Sequence, residues 1–332
     1  MNVFLFAANA VAPIVILMLV GYFLKVKNIF DEAFFKQANR FVFRVGLPVM
    51  LFLSVYDVEN LTDIKWNAVI FAVAVITLLF VIGFFCTFFI KDRKQKGVVW
   101  QAFFRGNATI IGIPLAISLG GQEALPVASI VSAFCITAYN VFSIIALSLY
   151  TGEDKKSSVG GFLKSLAKNQ LLMSILLGLI VVFVRNLLPV NELGNPVFTV
   201  KDNLSFVYEA MGMISKMTTP LSLIVLGGMF SFSAVKELKN QIIIGTSARI
   251  VLAPAIGLGL AIALKNTLGF GAPEFAAFVS MFGPPAAVSG LSMAAEMNND
   301  ESLAGQIVVW TTVFSIFTIY FTTVILKYFQ VI

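Results

Sequence analysis

Two apolar stretches of the chain are interrupted by glycine, proline and polar residues. The first contains Arg105, Asn107, Gly112, Ile113 and Pro114, and the second contains Gly283, Pro284 and Pro285. Proline removes a backbone donor, and glycine tolerates the unwinding that follows. Two broken helices that meet in a membrane would place helix-end dipoles beside a cavity, which suits an anion. The alternative interpretation is a simple proline kink in each helix.

Basic residues also lie inside apolar stretches. The four that lie well inside are Arg44, Arg105, Lys216 and Arg249. All 17 acidic residues fall in loops or near the ends of the stretches, and Glu209 and Glu296 come closest to the interior. Buried cations without buried acids indicate an anionic solute. The alternative is snorkelling, in which the long side chains reach the membrane surface.

Two asparagines are further candidates for contact with a solute. The amide of Asn107 both donates and accepts, which suits a carboxylate at a helix break, and it suits a helix–helix hydrogen bond equally well. Asn140 lies three residues after Thr137 on one helical face, and Ser315 and Thr318 repeat that spacing. These polar residues either flank the solute or join neighbouring helices, and the second interpretation is favoured for the hydroxyl groups.

The composition excludes several kinds of chemistry. The chain has no histidine, and its two cysteines lie in apolar runs, so the sequence predicts no metal site, no cofactor and no disulfide framework. It contains no recognisable catalytic constellation, so an enzyme is not expected. Of the 332 residues, 59% are hydrophobic and only 12% are charged, which predicts a membrane protein and no nucleic-acid partner.

The elements that position these residues are ten apolar stretches, each about 20 residues or longer. They lie near residues 4–24, 37–56, 67–90, 98–119, 124–150, 163–187, 205–231, 240–264, 274–296 and 303–328. The sequence therefore predicts an all-α polytopic protein of the cell (plasma or inner) membrane. Most Lys and Arg residues fall in the odd-numbered connections, which predicts that both termini lie outside.

The two halves of the chain, 1–155 and 156–332, repeat short patterns. Arg44 and Lys216 each precede a proline by four residues, and Glu123 and Glu301 open the fifth and tenth stretches. Five spans per half is an odd number, so the halves would be inverted relative to each other, as in many secondary transporters. Pro114 lies nine residues before Glu123, whereas Pro285 lies sixteen before Glu301, which predicts that the second half-helix or its loop is longer in the second repeat.

Three motifs resemble those of the auxin efflux carrier family, which includes bacterial malate permeases and plant PIN-type carriers. These motifs are FRVGLPVMLF, NATIIGIPLAISLGG and PPAAVSGLSMAAEMNND. The resemblance implies two inverted five-helix repeats with broken, crossed helices four and nine, as in folds like those of sodium/proton antiporters or bile-acid carriers. It implies a scaffold of spans 1, 2, 6 and 7, a transport domain of spans 3–5 and 8–10, and a homodimer formed through the scaffold.

The same resemblance implies that Pro114 and Pro284 or Pro285 correspond to the crossing prolines, with Asn107 upstream. The plant carriers place Asn-Pro at the crossings, whereas Ile113 and Gly283 precede proline here. The expected function is elevator-type transport of a small organic anion, such as a dicarboxylate or an auxin-like carboxylate. The alternatives are a sodium-coupled symporter of the bile-acid type, which would use Glu296 and Gln306, and a membrane sensor derived from a carrier.

Overall fold

The computed structural model describes residues 3–57, 65–121, 123–150, 169–189 and 197–332. These residues form twelve principal helices and no strand. The helices are α1 (Val3–Val26), α2 (Glu32–Tyr56), α3 (Trp66–Phe89), α4 (Arg93–Phe104), α5 (Ala108–Gly120), α6 (Ala124–Leu149), α7 (Gln170–Leu187), α8 (Ser205–Met229), α9 (Lys239–Ala263), α10 (Ala272–Phe282), α11 (Ser289–Glu296) and α12 (Glu301–Tyr328). Short helices cover Val200–Asn203, Ser233–Glu237 and Lys265–Leu268.

Seven of these helices are long and apolar enough to cross a membrane, namely α2, α3, α6, α7, α8, α9 and α12. The expected all-helical, multi-pass architecture is therefore confirmed. The fourth predicted stretch contains the pair α4 and α5, and the ninth contains α10 and α11. The start of the sixth, 163–168, lies outside the described residues. The arrangement of ten spans as two inverted repeats stays a prediction.

Several acidic residues at the ends of the apolar stretches cap helices. The side chain of Asp31 accepts a hydrogen bond from the backbone of Phe34, and Asp92 caps α4 in the same way. Asp300 caps α12 by accepting from the backbone N–H of Leu303 at 2.9 Å. These carboxylates complement otherwise unpaired N–H groups and the positive ends of the helix dipoles, which gives these three acids a structural role.

Three helices contain a wide π turn, and each turn ends two residues before a proline. The turns are Val42–Gly46, Ala108–Gly112 and Ala248–Leu252, followed by Pro48, Pro114 and Pro254. A proline has no N–H to donate and crowds the preceding turn, and a π turn relieves both problems locally. These prolines therefore shape continuous helices without ending them.

Two groups of helices pack closely within the described structure. In the first, α1 packs on α8, and α2 packs on both α7 and α8. The backbones of α1 and α8 touch, because a Cβ atom at Gly21 would lie 1.9 Å from the Ile224 carbonyl oxygen. In the second group, α10 packs on α5 and α6, while α3 packs on α4 and α6. The place where the α4–α5 segment and the α10–α11 segment cross, called the crossing below, lies within this second group.

Candidate functional site

The two helix breaks contact each other through their backbones. The chain leaves helical geometry between α4 and α5 at residues 105–107, and between α10 and α11 at residues 283–288. Gly106 and Ala286 form an isolated antiparallel bridge. The Asn107 N–H donates to the Pro285 carbonyl at 2.8 Å, and the Ala287 N–H donates to the Arg105 carbonyl at 3.4 Å. Each break thus satisfies backbone groups of the other.

The first break lies earlier in the chain than the sequence predicted. Gly112 ends a π turn, and Ile113 and Pro114 begin the α-helical part of α5, where a proline is tolerated. Gly112 instead allows α5 to approach α10, because a Cβ atom there would lie 2.2 Å from the Ser280 carbonyl oxygen. In the second broken segment, Gly283, Pro284 and Pro285 do lie within the break.

Arg249 of α9 holds the crossing together. Its side chain is fully buried, and its Nε donates to the Pro284 carbonyl at 2.9 Å. Its two terminal nitrogens donate to the carbonyls of Phe104, Met281 and Phe282 at 2.8–2.9 Å. These carbonyls belong to the ends of α4 and α10, where the helix dipoles are negative. Arg249 is therefore a clamp on two helix ends, and its guanidinium does not face the cavity described below.

Replacement of Arg249 with methionine should markedly reduce the stability of the folded protein. It would leave the buried carbonyls of Phe104, Phe282 and Pro284 without their side-chain donor, at a cost of at least about 3 kcal/mol, while the Met281 carbonyl would still accept from the Tyr139 hydroxyl. The measurement is thermal unfolding of the purified protein in detergent. Lys239→Gln, which changes an exposed cation of the same helix, is the control and should unfold as the wild type does. An unchanged unfolding temperature for Arg249→Met would contradict the clamp.

A central cavity of about 70 Å³ lies beside the crossing, and Arg105, Asn107 and Asn140 line it. The side chain of Arg105 is buried and donates to the hydroxyls of Ser143 and Ser289 at 2.9 and 2.8 Å. Within the described ranges, Arg105 forms no ion pair with a carboxylate. The cavity therefore contains a cationic group whose charge is not neutralised by a neighbouring side chain.

Asn140 contributes a free amide to the central cavity. The residue is only 1% exposed, and neither its amide nitrogen nor its amide oxygen has a hydrogen-bond partner in the described part of the molecule. Thr137, Ser315 and Thr318 differ, because each hydroxyl donates to a carbonyl of its own helix. A buried amide without partners is costly. The side chain is therefore suited to bind a polar group that enters the cavity.

Helix ends add to the positive potential at this cavity. α5 and α11 both begin at the crossing, and Asn107 caps α5 by accepting from the backbone of Ile110 at 3.4 Å. The first residue of α11, Ser289, also lines the cavity. Because the N-terminal ends of helices favour negative charge, both helix starts reinforce the charge of Arg105.

The sequence matches the model of a family described as membrane transport proteins, over residues 6–323. The chain belongs to this family. It is the auxin efflux carrier family that the sequence motifs resemble, so the protein is a transporter and not an enzyme. An uncharacterized transporter of Methanocaldococcus jannaschii is 28% identical over 320 residues, which are 94% of this chain and 96% of that protein. Another uncharacterized transporter, from Methanothermobacter thermautotrophicus, is 22% identical over 329 residues, which are 98% of this chain and 100% of that protein.

A second, wide cavity of about 490 Å³ adjoins the central cavity of the transporter. Met50, Leu51, Thr109 and Ile136 line both spaces, so the two are neighbours. Lys216 is exposed in the wall of the wide cavity, where Asp57 and Glu209 also lie. This arrangement puts Lys216 on the path to the central cavity but not inside it.

Arg44 and the two residues that a sodium-coupled symporter would use lie away from both cavities of the transporter. The side chain of Arg44 is exposed, and its Nε lies 3.9 Å from a carboxylate oxygen of Glu296. Gln306 is buried, donates to the Ser231 carbonyl at 2.7 Å and accepts from the Trp310 indole. Neither Glu296 nor Gln306 lines the central or the wide cavity.

Sequence reasoning missed the residues that orient Arg105. The carbonyl of Tyr139 accepts from its guanidinium at 3.3 Å, and the hydroxyls of Ser143 and Ser289 accept from the same group. Ser143 lies three residues after Asn140 and six after Thr137, on the same face of α6. Extending the polar stripe beyond Thr137 and Asn140 would have found Ser143.

Proposed function

We propose that this transporter moves a small organic anion, such as a dicarboxylate or an auxin-like carboxylate, across the cell membrane. The observation that carries the proposal is the buried guanidinium of Arg105, which lines the central cavity without a carboxylate partner in the described residues. A carboxylate from the solute would supply the missing negative charge. Charge-assisted hydrogen bonds of this kind are about twice as strong as neutral ones.

The other groups of the cavity fit the same solute. The free amide of Asn140 offers an NH₂ group that donates and a carbonyl oxygen that accepts, which suits a carboxylate, a hydroxyl or a carbonyl. Lys216, in the wall of the wide cavity, offers a second positive charge on the way in. A dicarboxylate would place one acid group at Arg105 and direct the other toward the wide cavity. The exposed position of Lys216 is consistent with capture of the anion before it reaches the crossing.

The proposed mechanism is elevator-type alternating access. The scaffold would comprise α1, α2, α7 and α8, and the remaining principal helices would form the transport domain. The close packing of α1 on α8 and of α2 on α7 supports this division. Because α7 is the least buried of the seven long apolar helices, it is the proposed site of contact with lipid and with a second subunit in a homodimer. The proposed orientation keeps both termini outside.

The first experiment is a thermal-shift panel on the purified protein with small carboxylates, auxins and bile acids, each with and without sodium. A bound anion stabilises the folded state by an amount that rises with the logarithm of its concentration divided by its dissociation constant. We expect one class of carboxylates to raise the unfolding temperature equally with and without sodium. Uptake of a member of that class into liposomes should saturate as its concentration rises. Stabilisation that requires sodium would favour the symporter and direct attention to Glu296 and Gln306. Absence of any shift and any uptake would contradict the proposal.

A further inference from the structure

An apolar groove of about 260 Å³ lies where α1 and α8 meet α12. It is called the seam groove here, because α1 and α8 belong to the proposed scaffold and α12 belongs to the proposed transport domain. Its lining includes Met18 and Tyr22 of α1, Phe230 after α8, and Val309 and Val313 of α12, and every lining residue is apolar or aromatic. It shares no residue with the central or the wide cavity, so it is not part of the solute path.

The seam groove opens to the outside of the protein. Two of its lining residues on different helices are substantially exposed, Leu19 of α1 at 58% and Val313 of α12 at 38%. Both α8 and α12 are long and apolar enough to cross a membrane. Exposed apolar side chains at membrane depth face lipid tails and not water. The natural neighbours of this groove are therefore acyl chains.

The length of the seam groove matches one leaflet of a bilayer. Val15, Met18, Tyr22 and Lys25 follow each other at intervals of three or four residues, so they share one face of α1. At about 1.5 Å per residue, the distance from Val15 to Lys25 is about 15 Å along the helix. The hydrocarbon core of a bilayer is about 30 Å thick. This apolar face thus runs from one membrane surface to about the midplane.

Basic residues lie at the end of the seam groove that reaches the membrane surface. Lys25, three residues beyond Tyr22, is half-buried, and its Nζ donates to the Phe230 carbonyl at 3.1 Å. The ring of Phe232 packs edge-on against Tyr22, with 5.9 Å between the centroids. Lys236 follows Phe232 by four residues and is exposed. In the proposed orientation this end is cytoplasmic, and the cytoplasmic leaflet is the one that carries anionic lipids.

These two lysines have the capacity to bind an anion. Neither Lys25 nor Lys236 forms an ion pair with a carboxylate of the described residues. Glu32, at the start of α2, is already paired with Lys36 at 2.7 Å, and Glu237 is exposed. The ammonium group of a lysine has three N–H donors, and the Phe230 carbonyl occupies only one of those of Lys25. A phosphate at the membrane surface would use the others.

We propose that the seam groove binds one anionic phospholipid of the cytoplasmic leaflet, with an acyl chain in the groove and the phosphate at Lys25 and Lys236. The apolar lining supplies the site for the chain, and the lysines select the charged headgroup. The leaflet and the two domains follow from the proposed mechanism, whereas binding of the lipid does not depend on which anion is transported. A fluid acyl chain would adapt its shape as α12 moves past α1 and α8.

A second copy of this chain fits the seam groove less well than a lipid. In a symmetric contact, it would bring lysines of like charge together at the membrane surface. It would also hold α12 against a fixed neighbour, although the proposed mechanism requires α12 to move. A phospholipid supplies the opposite charge and leaves that movement free.

The test is lipid binding by the purified, delipidated protein in an uncharged detergent, without any transported anion. The probes are dioleoylphosphatidylglycerol, dioleoylphosphatidylcholine with the same chains, and glycerol phosphate, which has no chains. Native mass spectrometry counts bound lipids, and thermal unfolding measures their stabilising effect. We expect one phosphatidylglycerol per chain, bound at least about fivefold more tightly than phosphatidylcholine, because one lysine at an anionic headgroup corresponds to about that factor. Glycerol phosphate should produce no shift.

Two variants test the two parts of the seam groove. Val313→Trp places a large ring in the groove and should abolish binding of both lipids while the protein remains folded. Val324→Trp is its control, because Val324 is an exposed residue three turns further along the same face of α12 and does not line the groove. Lys25→Gln should weaken phosphatidylglycerol about fivefold and leave phosphatidylcholine unchanged. Lys327→Gln, at the far end of α12, should bind both lipids as the wild type does.

Several results would overturn this inference. Equal affinities for the two lipids would remove the headgroup site, and wild-type binding by Val313→Trp would remove the chain site. A full thermal shift with glycerol phosphate would assign the lysines to a free phosphate. Dissociation of a dimer by Val313→Trp, with lipid binding intact, would assign the groove to a second copy of the chain. The proposed function would stand in each case, because uptake of the anion tests it separately.

Discussion

Replacement of Arg105 with glutamine should reduce uptake of the transported anion at least about thirtyfold. Removal of one partner from a buried, hydrogen-bonded charge pair costs about 2–5 kcal/mol, and the lower value already corresponds to that factor. Glutamine keeps hydrogen-bonding groups near Ser143 and Ser289, so the helices around the crossing should stay in place. The measurement is initial uptake into proteoliposomes, together with the thermal shift produced by the same anion. Arg105→Lys, which keeps the charge but loses the planar fork, should give an intermediate rate.

Arg44→Gln is the matched control for the Arg105 experiment. It removes the same charge from an exposed arginine that lies near Glu296 and does not line either cavity of the uptake path. Because surface ion pairs of this kind contribute little, uptake should remain within about twofold of the wild type. Equal losses in the two variants would indicate that net charge, and not contact with the solute, determines the rate. Wild-type uptake by Arg105→Gln would remove Arg105 from the binding site.

Replacement of Asn140 with leucine should raise the stability of the empty protein while it lowers affinity for the anion at least about tenfold. In the structure the buried amide has no partner among the described residues, and an unsatisfied polar group of this kind costs about 1–3 kcal/mol. Leucine has nearly the same shape and removes that cost, but it offers no hydrogen bond to a solute. The unfolding temperature without ligand and the ligand-induced shift, measured on the same preparation, should therefore change in opposite directions.

Thr137→Val is the control on the same helix. Its hydroxyl donates to the Ala133 carbonyl at 3.0 Å and does not line the central cavity, so affinity for the anion should be unchanged. A fall in both stability and affinity for Asn140→Leu would show that the amide has a structural role. A rise in stability with unaltered affinity would place the solute elsewhere.

The helical segments were predictable because their apolar lengths are set by the thickness of the membrane. The position of the first break was not, because the prediction relied on Pro114, and a π turn accommodates that proline within α5. The actual break at residues 105–107 contains no proline. With Asn107 as the reference, the spacing to Glu123 is sixteen residues, the same as from Pro285 to Glu301. Measured from the two breaks, the spacings agree, and the inverted repeat itself stays a prediction.

The roles of the two buried arginines could not be predicted from their positions in the sequence. Arg105 and Arg249 both lie inside apolar stretches, and both were candidates for snorkelling to the membrane surface. Arg249 instead bonds to carbonyls of two other helices, one of them 145 residues away in sequence. Arg105 lies at a break and lines the central cavity. The difference depends on which helix ends meet each guanidinium, and contacts between distant segments leave no local pattern in the sequence.

The Arg249 clamp has a consequence for the synthesis of this transporter. The Phe104 carbonyl, at the end of α4, receives its side-chain donor from a residue made 145 positions later. At about 5–20 residues per second, the ribosome needs roughly 7–29 s to cover that distance. During this interval the nascent first half contains a broken helix whose partners have not been translated. Productive membrane insertion therefore depends on water or the insertion machinery shielding that break until α9 and α10 emerge.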